Sequence, residues 1–259
     1  MKRKQHPILF RGIFLVLSFI VLAPAFYLLV HTFFNSEGQF TLMGYYEMFL
    51  RSPRYMLRFW RSLAICLGIT AGNLIISTMA GYSLALYSFR GRALVLFLLA
   101  VLMLMPVQTT LTPTYMVLKQ LHLLDTQWAL ILPALFWPFG TLLEMQVIRS
   151  LPKELFEAAE LDGANLFQLI SRIAVPAGKG GIISVSILTF IEAWNMLEQP
   201  AAYLTNSDAY PLAAFLAYGA VSEQAVIFIC SILAILPILL AFAYFNEELT
   251  DGIEFTGIK

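Results

Sequence analysis

Residues 155 to 176 read LFEAAELDGANLFQLISRIAVP, and how this stretch folds decides what kind of chain surrounds it. Glu157, Glu160 and Asp162 crowd against Gly163 between short apolar stripes. Just upstream, Pro152 suits a first helical turn, and Glu154, Glu157 and Glu160 follow at spacings of three. At about 100° per residue those acids cover roughly a third of a helix circumference, which leaves Leu155, Phe156 and Ala159 on the other side. Asp162-Gly163 is a turn signal that stops the first helix. Asn165 is placed to cap a second helix, with Gln168 three residues on in an approximate capping box. Leu166, Leu169, Ile170 and Ile173 form an i, i+3, i+4, i+7 stripe, and Pro176 limits its extension. The spacing predicts a short helix–turn–helix, acidic on one side and apolar on the other. Two uses fit it. One is a solvated connector. The other is a docking element, in which Ala158 and Ala159 allow close backbone approach and the acids meet basic residues of a soluble partner.

The rest of the chain is oily. Of 259 residues 59% are hydrophobic and only 12% charged, about half the charge supply of a soluble domain. A net charge of zero gives no sign of a nucleic-acid partner. A hydrocarbon core about 30 Å thick needs roughly 20 apolar helical residues. Six runs qualify: Ile13–Phe34, Ser62–Phe89, Ala93–Leu118, Trp128–Ile148, Gly181–Leu197 and Ala225–Phe245. Met1-Lys-Arg-Lys and Ala23-Pro24-Ala25 imitate a secretory signal with its cleavage site, but the apolar run continues past Ala25 and reads as an uncleaved first span. Cys66 and Cys230 sit inside apolar runs and read as small buried hydrophobes, without the spacing of a metal site or a disulfide framework.

Lys and Arg set the orientation. With the N-terminus in the cytoplasm, the inner segments hold Lys2, Arg3, Lys4, Arg11, Arg90, Arg92, Arg149, Lys153, Arg172, Lys179 and Lys259. The outer ones hold Arg51, Arg54, Arg58, Arg61 and Lys119. The positive-inside rule therefore favours both termini inside. The cluster Arg51–Arg61 runs against the rule and is expected on an amphipathic surface segment before the second span. In this topology residues 149–180 form a cytoplasmic loop between spans four and five.

Glu157-Ala158-Ala159, Gly163 and Ile173-Ala174-Val175-Pro176, at their spacing, resemble the EAA loop of the membrane-spanning permease subunits of ATP-binding-cassette importers; only Val175 departs from the usual Leu. YSLALYSFRGR at 82–92, Met105-Pro106, LHLLDTQWALILPALFWPFG at 121–140 and FIEAWNMLEQPAAYL at 190–204 are similar to the carbohydrate-type, maltose-transporter-like permeases. The resemblance runs from about residue 60 onward. It implies an all-α, polytopic membrane protein: one transmembrane permease domain over residues 1–259, with six transmembrane helices and a cytoplasmic coupling helix between spans four and five, the type I importer permease fold. It further implies a location in the bacterial or archaeal cytoplasmic membrane, embedded in lipid. The implied partners are a second, different permease, two ATPase subunits and an extracytoplasmic solute-binding protein. Glu157, Ala158, Ala159, Asp162, Gly163, Ile173 and Pro176 would meet an ATPase subunit, Glu157 pairing with a basic residue and Gly163 permitting the turn.

No G-x-x-x-x-G-K-[ST] loop is present in the sequence, so this chain is expected to be non-catalytic and to hold no cofactor, ATP and Mg being bound by the ATPase subunits. Polar residues inside spans are candidates for the solute path. Asn73 is one, with helix-to-helix hydrogen bonding as its other use. Gln108 and Thr112 follow Pro106, where a proline-loosened helix has room to line a cavity. Glu192, Trp194 and Asn195 lie in the fifth span; Glu192 also suits an ion pair with a partner permease, and Trp194 an interfacial belt. Glu144, near Arg149, suits a local ion pair. Two other function classes compete. A secondary transporter would carry internal repeats or paired broken helices, and no convincing repeat is present. A non-transport membrane scaffold needs no polar residues mid-span.

Overall fold

The computed structural model describes residues 7–35, 37–219 and 224–247. Lys2, Arg3, Lys4 and Lys259, which enter the charge count, lie outside the described residues. Among the described residues the fold is all-α, with one isolated bridge between Phe34 and Phe40. The main helices are α1 (Pro7–His31), α2 (Pro53–Leu86), α3 (Arg92–Leu104), α4 (Val107–Gln120), α5 (Trp128–Ala134), α6 (Pro138–Ser150), α7 (Lys153–Leu161), α8 (Lys179–Trp194) and α9 (Gln224–Tyr244). Four stretches are long and apolar enough to cross a membrane, and six if the two sharply bent pairs each count as one span.

Two of the expected spans are interrupted, and a third break falls just before the fifth. Pro106 forces Met105 out of the helical region, to ψ 130°, because a proline ring clashes with a helical predecessor. The run expected over Ala93–Leu118 is therefore two helices, α3 and α4, bent by 105°. Pro138 does the same to Trp137, separating α5 from α6. The third break lies at Gly178, where the chain turns by 88° into α8. Pro176 does not end the helix before that point. A π turn over Leu169–Ala174 runs straight into Val175–Ala177 and accommodates the proline at its start.

Contacts divide the chain into two compact units. The first comprises Met1–Leu57 and Ala220–Leu236. In it, Gly44 lies so close to Ala225 that a Cβ on Gly44 would come within 2.9 Å of the alanine methyl. His31 stacks on Tyr27 and meets Phe228 edge-on. The second unit, Arg58–Gly219 with Pro237–Lys259, holds every candidate site residue. Its interior is built on close backbone approach. Gly178 and Gly181 of the α6–α8 crossing both meet Val147, the small-residue packing expected where lipid supplies no hydrophobic drive between helices.

The basic cluster departs in part from the expected surface segment: Arg51 and Arg54 are exposed, Arg61 is half-buried and Arg58 is buried. Helix α2 begins at Pro53 and runs for 34 residues, about 51 Å at 1.5 Å per residue, so its first turns extend beyond an apolar core. Arg58 is buried there: its guanidinium donates to the Ser207 carbonyl and to Asp208 Oδ1, each at 2.7 Å, and lies 3.9 Å over the Phe215 ring. Arg61 donates to the Asp208 carbonyl at 2.8 Å. These arginines anchor the loop that precedes Pro211.

Candidate functional site

The hairpin folds as its residues dictate. Helix α7 ends in a Schellman motif: the Gly163 N–H donates to the Glu160 carbonyl and the Ala164 N–H to the Ala159 carbonyl, each at 3.0 Å. That geometry places Gly163 at φ +84°, a left-handed conformation that glycine adopts without cost. Two residues on, Asn165 and Gln168 form the full capping box, Gln168 N donating to Asn165 Oδ1 at 3.0 Å and Asn165 N to Gln168 Oε1 at 2.9 Å. Beneath the hairpin lies one apolar cluster of Tyr82, Ile148, Phe156, Leu169 and Ala174, with Ala159 and Ile173 packed against it. The Tyr82 and Phe156 rings meet edge-to-face at 5.8 Å. The ends of α2 and α6 therefore carry the hairpin through apolar contacts.

The opposite surface is open. Glu154, Glu157, Ala158, Glu160, Asp162, Gly163 and Pro176 are exposed, whereas Ala159 and Ile173 are half-buried against the cluster. Leu161 and Phe167 are 90% and 77% exposed. The sequence reading misses these two because neither lies on the apolar stripe. Their signal is their position: large hydrophobes immediately beside a turn, off the face that packs. Leu155, expected on the inner side, is also exposed.

The polar residues of the spans separate into two groups. Asn73 is 1% exposed, and its amide donates to the Leu135 carbonyl at 3.0 Å and to those of Ala134 and Trp137 at 3.5 Å. These carbonyls flank the α5–α6 break, where that of Ala134 still accepts from the Trp137 N–H, and Asn73 adds a side-chain donor to the interrupted ladder. Trp194 is also buried, stacked on Phe190 and edge-on to Phe59. Gln108, Thr112, Glu192 and Asn195, in contrast, reach the surface of the chain. Gln108 Nε2 donates to Glu198 Oε1 at 3.0 Å. Glu144 departs from the expected pairing: Ser77 and Thr78 hydrogen-bond its carboxyl, and Arg149 does not. Among the described residues no cluster of His, Cys, Asp and Glu suits a metal.

A family model described as the binding-protein-dependent transport system inner membrane component matches residues 64–251. The chain belongs to this family. The match opens inside α2 and takes in the hairpin and every candidate residue, in keeping with a resemblance that starts near residue 60. The chain is 28% identical to the arabinooligosaccharides transport system permease protein AraQ of Halalkalibacterium halodurans, covering 100% of both chains. It is 29% identical to the sulfoquinovosyl glycerol transport system permease protein SmoH of Agrobacterium fabrum, over 85% of this chain and 78% of the other. A chain from a bacterial ABC transporter involved in the import of the acidic polysaccharide alginate shares its fold, with a TM-score of 0.80 at 17% identity, covering 93% of this chain and 95% of that one. As a member of the matched family, the chain is an inner-membrane component of a binding-protein-dependent transport system.

Proposed function

We propose that this permease imports a carbohydrate, as an oligosaccharide, a glycoside or a sugar–polyol conjugate, and that residues 151–176 are the cytoplasmic lever on which an ATPase subunit acts. The hairpin carries this reading. It combines an apolar root packed on the ends of α2 and α6 with an outer surface on which Leu161 and Phe167 stand bare beside Glu157, Glu160 and Asp162. Large hydrophobes left in water beside a rigid turn favour burial in a partner's cleft. Covering each contributes about 1.5–3 kcal/mol, against about 0–1 kcal/mol for an exposed Glu157–Arg pair. The grip is thus mainly apolar, and the acids supply orientation. Closure of two ATPase subunits pushes the lever, and the packed spans respond as rigid bodies between inward- and outward-open states.

The whole chain acts as one permease domain with both termini in the cytoplasm. It neither binds nor hydrolyses ATP alone; two ATPase subunits bring ATP and Mg. A second, different permease completes the pore. Gln108 and Thr112 on α4 with Glu192 and Asn195 near the end of α8 are exposed in the single chain, a placement unfavourable toward lipid and suited to a wet cavity shared with that second permease. Asn73 and Trp194 support this path from behind. The carbohydrate assignment draws on the relatives' substrates, arabinooligosaccharides and sulfoquinovosyl glycerol. The test is to reconstitute the chain with its second permease, ATPase and solute-binding protein and follow uptake of labelled oligosaccharides. ATP-dependent uptake that requires the loaded binding protein is expected. Uptake driven by an ion gradient in the absence of the ATPase would establish a secondary transporter instead.

A further inference from the structure

Glu144 has no solvent exposure, and nothing in the coupling or solute path uses it. It stands on α6, in the middle of the crossing with α2. Ser77 Oγ lies 2.7 Å from its Oε1 and Thr78 Oγ1 lies 2.5 Å from its Oε2. Among the described residues no Lys, Arg or His nitrogen lies within 4.0 Å of the carboxyl. A lone buried carboxylate would be expensive in such surroundings.

The hydrogens can be counted. Thr78 Oγ1 is also 2.7 Å from the Leu74 carbonyl, and a hydroxyl has one hydrogen to give. That hydrogen serves the carbonyl or the carboxyl, and only a neutral acid, with a hydrogen of its own for Thr78 Oγ1, lets both short contacts be hydrogen bonds at once. Ser77, 3.3 Å from the same carbonyl, gives its hydrogen to Oε1. The backbones on either side come close enough to leave no room for slippage. A Cβ on Gly81 would lie 2.9 Å from the Met145 nitrogen, and one on Gly140 2.6 Å from Asn73 Oδ1. Helix α6 ends at Ser150, and the chain passes through extended Leu151 and Pro152 directly into α7.

We propose that Glu144 is a positioning residue: a neutral acid that pins α6 to α2, so that displacement of the hairpin moves both helices together instead of sliding one along the other. The transport consequence rests on the coupling role of the hairpin; the pin does not. The test uses the complete complex in nanodiscs and proteoliposomes, comparing wild type with Glu144→Gln and Glu144→Ala. The infrared difference between wild type and Glu144→Gln at neutral pH is expected to contain the carbonyl band of a protonated carboxyl. Glu144→Gln, whose amide both donates and accepts, keeps uptake per ATP within about twofold of wild type, whereas Glu144→Ala loses about fivefold and melts a few degrees lower. Carboxylate bands in the difference spectrum would overturn the proposal, as would a glutamine variant as impaired as alanine or an alanine variant that melts and transports like wild type. If Glu144→Ala fails to assemble, the spectrum and the glutamine variant still decide. If the wild-type complex neither hydrolyses ATP nor imports solute, the coupling role fails, while the spectrum and the melting comparison still settle the pin.

Discussion

Gly163 and Arg58 show how much of the molecule rests on single residues. A Cβ on Gly163 would meet nothing within 4 Å, so only its φ of +84° restricts substitution. Gly163→Ala therefore strains the turn by about 1–2 kcal/mol without any clash. The free hairpin relieves that strain by fraying, which docking on the proposed ATPase partner must reverse; a binding assay should show about five- to thirtyfold weaker ATPase affinity. Arg58 acts far from the hairpin. Its partner Asp208 is mostly exposed, 64% by side chain, so the ion pair itself contributes under about 1 kcal/mol. The bond to the Ser207 carbonyl and the Phe215 ring matter more. Arg58→Ala should cost about 1–3 kcal/mol by removing that charge-assisted bond and the ring contact together, and Asp208→Asn should cost less. The melting temperatures of the two variants, measured in the same detergent, check the order.

Breaks and crossings decide behaviour at the level of elements. Asn73 donates to the Leu135 carbonyl at the α5–α6 interruption, so Asn73→Leu should lower stability by about 1–3 kcal/mol through loss of that bond, seen as a lower melting midpoint. Gly181→Val drives a methyl into Val147 and should cost about 1–3 kcal/mol by overpacking. Val147→Ala should recover part of that loss, and a double-mutant cycle on the melting midpoints measures the coupling. These cases also show what the sequence disclosed. The hairpin was legible because its signals are local: Gly163 ends a helix and Asn165 with Gln168 starts the next within a few residues. The runs of apolar residues marked the spans for the same reason. The bends at Pro106 and Gly178 were not legible as angles, since a proline or glycine marks where a helix weakens and its neighbours fix how far it turns. Asn73, Glu144 and Arg58 find partners 60 to 150 positions away, and no spacing rule reports such pairs. Leu161 and Phe167 were missed because exposure depends on which face the hairpin root occupies.

Taken whole, the permease has a hairpin with exposed apolar side chains at one end and spans that carry polar groups on an outward surface. Gln108, Thr112, Glu192 and Asn195 in the spans predict that the chain is complete only beside a second permease. The proposed lever requires the hairpin to face the compartment that holds ATP. That demand is tested at Phe167, which is exposed on the hairpin and lies outside its apolar root. The most direct measurement places a single cysteine there, Phe167→Cys in a background with Cys66 and Cys230 replaced by serine, and follows its labelling by a membrane-impermeant thiol reagent. Docking predicts labelling in inside-out vesicles stripped of the ATPase, protection when the ATPase is added back, and no labelling of intact cells. Labelling from outside intact cells, or stripped vesicles in which added ATPase gives no protection, would contradict the lever.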